Sequence, residues 1–400
     1  MNRRILGLVI AGVIGATSSI HAFSISGTAP QVIFNPSNTN IMTSTFKAEI
    51  EGKMNAEVST AFNSTIDTAR KNLSGFKSQT ELAQGFANAN AYSMNSATLQ
   101  GFQNYSLFAV ASGLMVGVQA PSTNMSYYSK IGDEIQKKGD LYAGIGAGFS
   151  YANIGINAKF IYPGLYLNAK YGAFSKDIGD FSMDFSVMGL GVNYRLLDTK
   201  SLIGLVKWRG VSLGSGFYMQ SNTINMKVAP DTIKTKAHFR QAALAGSAPS
   251  DTAAKGALLD EMGYTAAHPD ANIKLSPEFN MGLDISTMTV PFDAVTAVSV
   301  LWGLINVTAG MGIDVNFGNG KIVLEGASKA NIAPDSPNSA VTFTDAAVKI
   351  DGSSESGPSF ARLRAMTGVG IGLGPVKLDI PLIYYFNSGM AFGITGAIVW

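Results

Sequence analysis

Lys159, Lys170, Arg195, Arg362, Arg364 and Lys377 share a setting in this 400-residue chain. Each falls in an alternating segment where its neighbours in phase are polar or small. In a β-strand such positions share a face, because successive side chains point to opposite sides. Asp284, Asp314 and Asp379 occupy the same kind of face. Two chemistries fit. Opposite charges could pair and fill a closed interior, the condition under which charge is tolerated away from water. Alternatively, cations in excess could hold an anionic solute, and Arg362 and Arg364 could together grip a carboxylate. The candidate ligand-binding residues are Arg362, Arg364, Lys377, Lys159 and Arg195.

Catalytic groups are sparse. Of three histidines, His21 lies in the leader, while His238 and His268 lie in a long insertion without carboxylates at ligand spacing. Both read as exposed loop residues. Ser215 lies in Gly-Ser-Gly within a strand, lacks the context of a nucleophile elbow, and reads as an interior residue. The runs GVGIGLG (368–374) and GIGAG (144–148) sit inside alternating strands with no helix after them. They supply small interior positions rather than a dinucleotide loop. We expect no enzymatic activity, no cofactor and no metal. The net charge of +2 gives no sign of a nucleic-acid partner.

The elements that must position these residues are strands. In NIGINAKFIYPGLYLNAKYGAF (153–174), apolar residues occupy every second position on either side of Pro163-Gly164. INVTAGMGIDVNF (305–317), FNMGLDIS (279–286) and VKLDIPLIYYF (376–386) repeat the pattern. About fourteen strands are expected from 104 to the end, and closed bacterial barrels take an even number. FSMDFSVMGLGVNYRLL (181–197) breaks the rule. Phe181, Met183, Phe185 and Val187 share one face, then Met188, Leu190, Val192 and Tyr194 the other. A bulge would explain it, as would a strand whose two ends meet different surroundings.

Composition says what the apolar face meets. Charged residues make up 14% of the chain, against ~25% in soluble domains. Glycine is abundant at 44 residues and mean hydropathy is slightly positive. After the leader, no apolar run approaches the ~20 residues of a transmembrane helix. A soluble sandwich or solenoid would need a charged outer face. Here the second face is mostly Gly, Ser, Asn and Thr, which suits a crowded lumen, so the apolar face is expected to meet lipid.

The fold expected is thus an all-β membrane protein, a closed antiparallel transmembrane barrel with an N-terminal helical hatch. MNRRILGLVIAGVIGATSSIHA (1–22) has the layout of a signal peptide. No cysteine is present, which removes lipidated-cysteine anchors and disulfides. Residues 23–101 read as the hatch. Within it Phe46, Ile50, Met54, Val58, Phe62, Ile66 and Ala69 form a helical stripe, and a second helix starts at the capping box S-Q-T-E from Ser78. Residues 102–400 read as the barrel, with long insertions at 121–140 and 229–272. Both should lie outside, although the strand count read from the sequence does not put them on one side.

The C-terminus, MAFGITGAIVW, sets Met390, Phe392, Ile394, Ile398 and the terminal Trp400 on one face. A last strand ending in an aromatic resembles the signal read by the barrel-assembly machinery of the outer membrane. FNPSN (34–38) and the closing LDIPLIYYFNSGMAFGITGAIVW resemble elements of the long-chain fatty-acid transporter family. That resemblance implies an outer-membrane channel for hydrophobic or amphipathic molecules, gated by its plug. Its ligand would bind between hatch and wall, then leave by a lateral or central opening. The partners implied are the outer-membrane bilayer, the assembly machinery acting through Trp400, and a hydrophobic small molecule. The alternative is a surface-exposed structural or adhesive protein acting through its long loops.

Overall fold

The computed structural model describes residues 21–34, 44–74, 79–95, 105–119, 145–228, 232–276, 278–334 and 341–400. Most of the leader, FNPSN after Phe34, the Ser78 cap and the insertion 121–140 lie outside the described residues. The N-terminal part holds β1 (His21–Thr28), β2 (Val32–Phe34), α1 (Ser44–Ser74) and α2 (Gln79–Ser93). Then follow β3 (Phe108–Gln119), β4 (Ile145–Asn157), β5 (Leu165–Ile178), β6 (Phe181–Leu197), β7 (Lys200–Ile203) and β8 (Val206–Val228). The second insertion folds as β9 (Ile233–Ala237), α3 (Phe239–Leu244), α4 (Pro249–Glu261) and β10 (Ala271–Leu275). The chain closes with β11 (Phe279–Val300), β12 (Ile305–Pro334), β13 (Val341–Phe343), β14 (Ala346–Ser356), β15 (Ala361–Leu373), β16 (Val376–Tyr385) and β17 (Gly389–Val399).

One antiparallel sheet takes in fifteen of these strands. Its pairings run β12-β11-β8-β6-β5-β4-β3-β17-β16-β15 and return to β12. Among the described residues ten strands therefore stand in the cycle, with β1, β7, β9, β10 and β14 of the same sheet outside it. β12 alone runs 30 residues, and the edge away from β11 meets two neighbours, β15 through 305–315 and β14 through 320–330. At one end of the cycle, here the turn end, lie the short connections 158–164, 301–304 and 374–375 together with Trp400. Both long insertions leave from the opposite, loop end, after β3 and β8. The strand parity that the sequence could not reconcile is thereby satisfied.

The phase slip in β6 is not a bulge. Its register against β5 runs unbroken from Ile178↔Phe181 to Leu165↔Tyr194, and against β8 it shifts only after Arg195. The faces exchange chemistry instead. Near the turn end Met188, Leu190 and Val192 point out, whereas near the loop end Phe185 and Val187 point in and Asp184 is exposed. β11 does the same. Phe279, Leu283 and Ile285 are buried inside with Asn280, Asp284 and Ser286 outside, and then Thr287, Thr289 and Asp293 are buried with Phe292 and Ala294 outside. In β12 Asp314 and Asn316 face in below the change, and Ile322 and Leu324 above it. Asp284, expected inside, lies outside for this reason.

The loop-end interior is filled by α1. Ile50, Met54 and Val58 pack with Phe239, Leu259, Met262 and Ile273, and Phe62 and Ile66 pack with Ile25, Leu324, Val348 and Ile350. Each such side chain contributes about 2 kcal/mol by leaving water. From Ile50 to Ala69 the helical stripe read from the sequence is this buried face, and the side chain of Phe46 lies outside what is described. Lys255, itself buried, reaches from α4 to Glu49 on α1 (Nζ to Oε1, 2.6 Å) and Ser247 (3.0 Å). That ammonium, with Lys53, holds the Glu49 carboxyl below its ordinary pKa of 4.5.

Candidate functional site

Helix α2 continues inward from α1's end of the molecule. Its residues Ala83, Ala87 and Asn88 to Ser93 are buried. It packs against β3, β4 and β17 and also against β8, β11 and β12, which are other arcs of the cycle. Glycines allow the approach. A Cβ at Gly117 or Gly146 would overlap the Ala89 backbone, and one at Gly148 the Ser93 carbonyl. Gly146 and Gly148 are the small interior positions expected of GIGAG. Polar side chains tie the helix down. Asn90 Nδ2 donates to Thr287 Oγ1 (2.7 Å), Gln220 Nε2 donates to Asn90 Oδ1 (2.7 Å), and Asn222 Nδ2 donates to the same oxygen (2.5 Å). Tyr92 stacks on Tyr385 at 3.8 Å and its hydroxyl bonds that of Ser388.

Below the helix the interior is charged. Arg364 is completely buried and meets both oxygens of Asp293 (2.8 and 2.9 Å) as well as Asp314 (3.1 Å). Tyr385 donates to Asp314 (3.1 Å). Lys170 Nζ donates to the Met94 carbonyl and stands 4.4 Å from the centre of the Tyr218 ring. Paired charge that fills the interior, one of the two chemistries open at the start, describes Arg364 well. Arg362 faces in beside it but bonds Ser359 Oγ (2.5 Å), so the two guanidinium groups have separate partners.

Arg195 and Lys377 lie towards the turn end. Arg195 stands over the Tyr166 ring (5.2 Å) with Asp198 at 3.7 Å. Lys377, opposite Gly372, is half-buried in the mouth, and Arg209, which the sequence reading passed over, sits there on β8. Arg209 Nε donates to Ser299 Oγ (2.5 Å), next to Asn306. Lys159 is elsewhere. β4 ends at Asn157, two residues short of it, so Lys159 lies exposed in the connection to β5 and not in the interior.

A second feature is apolar. β4 and β5 pair only from Ala152↔Tyr171 to Asn157↔Tyr166. Beyond that the strands part, and a cavity of about 260 Å³ opens between them. Phe149, Met183, Phe185, Ile224 and Ile285 line it, with Asn222 as its polar contact to the α2 network. Sequence reading missed this site. Outside 181–197 it gave each strand one outward face throughout, and Met183, Ile224 and Ile285 become interior only where the faces exchange. The sole available signal was the phase slip in β6.

In the insertion, His238 Nδ1 lies 3.0 Å from Asp270 Oδ1, a pairing that sequence spacing hid, while its side chain remains half exposed. Among the described residues no three His, Asp or Glu side chains converge as a metal site.

Comparison with solved structures finds faint likenesses. The translocator domain of the autotransporter NalP from Neisseria meningitidis is 8% identical, with 74% of this chain and 90% of that chain covered and a TM-score of 0.25. The toluene transporter TodX of P. putida is 9% identical, with 81% and 99% covered and a TM-score of 0.21. The transport unit of the autotransporter AIDA-I from Escherichia coli is 6% identical, with 79% and 99% covered and a TM-score of 0.20. No curated protein matches the chain. A family model does, over residues 41–400. The chain belongs to the Lsa36-like family.

Proposed function

We propose that the ten-strand cycle is a closed barrel in the bacterial outer membrane, plugged by α2, that carries hydrophobic or amphipathic small molecules. The outward apolar band supports the membrane part. On β12 it runs from Ile305 to Phe317, about 40 Å of strand at ~3.4 Å per residue, or about 29 Å across a bilayer at a tilt of ~45°. Barrel bands are ~25 Å tall. In such barrels short turns face the periplasm and long connections the outside, which puts α1, α3 and α4 on the cell surface. Trp400 would present the terminal signal to the assembly machinery, and its deletion should lower the amount of folded protein.

The observation that carries the transport reading is the apolar cavity where β4 leaves β5, because its lining takes in both the inward Phe185 and Ile285 beside the plug and the outward Leu114. A ligand entering there would be apolar along most of its length, a long-chain fatty acid being the obvious probe. Its charged head would be met by Arg195, Arg209 and Lys377 near the mouth, rather than by Arg364, which has its own carboxylates. We assign it no catalytic step. Ile285→Trp, which fills the cavity, should weaken displacement of a fluorescent fatty acid at least tenfold while the barrel folds. Unchanged affinity would remove the reading.

The folded lobe of α1, α3, α4, β9 and β10 favours a second reading, a surface protein acting through its loop end. Deleting 239–262 should then abolish surface binding and leave fatty-acid binding untouched.

A further inference from the structure

Among the described loop-end turns, β5 and β6 are joined by Gly179-Asp180, and the β16–β17 turn carries Asn387 and Ser388 beside an exposed Phe386. β16 and β17 are joined through Phe386-Asn387-Ser388, where Asn387 takes the left-handed backbone (φ 55°) that asparagine tolerates. The turn end is different. The β4–β5 connection carries Phe160, Ile161 and Tyr162, the β11–β12 connection Leu301 and Trp302, and the β15–β16 connection lies between Leu373 and Val376, all of them exposed. Phe160 is 79% exposed and Trp302 77%.

In the four-residue connection 301–304 the backbone is left-handed at Leu301 (φ 52°), Trp302 (φ 57°) and Gly303 (φ 94°). Glycine and asparagine adopt this conformation readily, whereas bulky side chains resist it. The chain thus keeps two strained residues where unstrained ones were available, and both present apolar surface. Charge exposed at this end includes Lys159 on the β4–β5 connection, Lys200 on β7 and Lys207 on β8, against Asp198 after β6. Aromatic and aliphatic side chains flanked by lysine are the chemistry of the bilayer interface, where rings sit at headgroup level and ammonium groups reach phosphate.

We propose that the turn end does not project into water but ends inside the adjoining lipid leaflet, with Phe160 and Trp302 below the headgroups and the nearby lysines at anionic phosphates. The occupant is lipid because the tips continue the outward apolar band: Leu304, Val307 and Met311 lead up from Trp302, and Ile156 and Ile154 from Phe160, with the exposed Lys159 between Ile156 and Phe160. The inference rests on the membrane reading above, and the test separates the two.

The chain lacks cysteine, so single-cysteine variants can carry one spin label each. Phe160→Cys and Trp302→Cys report the tips, Phe292→Cys the middle of the band, and Asn387→Cys the polar turn. In vesicles containing phosphatidylglycerol, the accessibility ratio of oxygen to a nickel chelate reads depth. The tip labels should match Phe292→Cys in excluding nickel, and Asn387→Cys should admit it. Tips that admit nickel while Phe292→Cys excludes it would overturn the inference and leave the membrane reading intact, pointing to a protein partner at that end. Nickel access at Phe292→Cys would overturn both. The Asn-Gly variant (Leu301→Asn with Trp302→Gly) adds a second readout. It should keep the fold in detergent yet insert into preformed vesicles at least threefold more slowly. An unchanged insertion rate would count against lipid at the tips.

Discussion

The two ends of one strand, β11, obey opposite rules. From Phe279 to Ser286 apolar side chains point in and polar ones out, as in a water-soluble sheet wrapped round a core. From Thr287 to Val300 the inward face carries Thr287, Thr289, Asp293 and Ser299 along with Pro291, Val295 and Ala297, while Val290, Phe292, Ala294 and Val298 point out. The register does not slip, since β11 pairs with β12 without interruption from Asn280↔Glu325 to Val300↔Ile305. A one-residue slip would move every side chain to the other face, so the sequence itself must change phase where the solvent changes. In the membrane reading proposed above, lipid is the outer solvent below the change and the polar lumen is the core. Above the change water is outside and α1 is the core.

The largest expected effect comes from breaking the lumen. Asp293→Ala leaves the buried Arg364 with Asp314 as its remaining carboxylate, and loss of one partner from a buried pair costs ~3–5 kcal/mol. Equilibrium unfolding in urea from vesicles should register it, with Asp293→Asn losing less.

The comparison itself is sharpened by placing one change on both halves of the same face. Phe292→Arg puts a charge in the proposed lipid band and should cost ~2–4 kcal/mol. Asp284→Arg, outward on the same strand but past the change, should stay within ~0.5 kcal/mol. Equal costs would mean that both halves meet one solvent.

A smaller effect is expected at the helix. Gly148→Ala forces a Cβ against the Ser93 carbonyl, and overpacking of this kind costs ~1–3 kcal/mol. If α2 is the plug, planar-bilayer recordings of Gly148→Ala should show brief openings absent from the parent protein. A silent membrane would mean that the helix yields without unblocking the lumen.

The smallest effect belongs to the lobe. Because Glu49 has its pKa lowered in the fold, its pairing with Lys255 is complete above about pH 4.5 and fades as the pH falls below that value. Protection of the α1 and α4 amides, relative to their intrinsic exchange rates, should fall at low pH before that of β11 does. Glu49→Gln should remove the pH dependence.

Much of this was legible. Alternation in 153–174 and 305–317, the stripe from Ile50 to Ala69 and the small interior glycines each follow from periodicity, which needs no knowledge of partners. The change of solvent was legible only as a phase slip in β6, because local pattern cannot say which face is inside. The ion pairs of Arg364 were out of reach for another reason. Asp293 and Asp314 become its neighbours through strand order and register, which separate them from it by 71 and 50 residues of chain. Lys159 was misplaced by strand length, since the apolar residues that prolonged the alternation past Asn157 belong to the turn.

The central claim is that one face of one strand passes from water to lipid near residue 287. A polarity-sensitive dye attached to single cysteines at the outward positions 280, 284, 286, 290, 292, 294 and 298 of β11 tests it directly in vesicles. The account predicts water-like emission at 280–286 and a blue shift that begins at 290 and persists to 298. Uniform emission along the strand would contradict it.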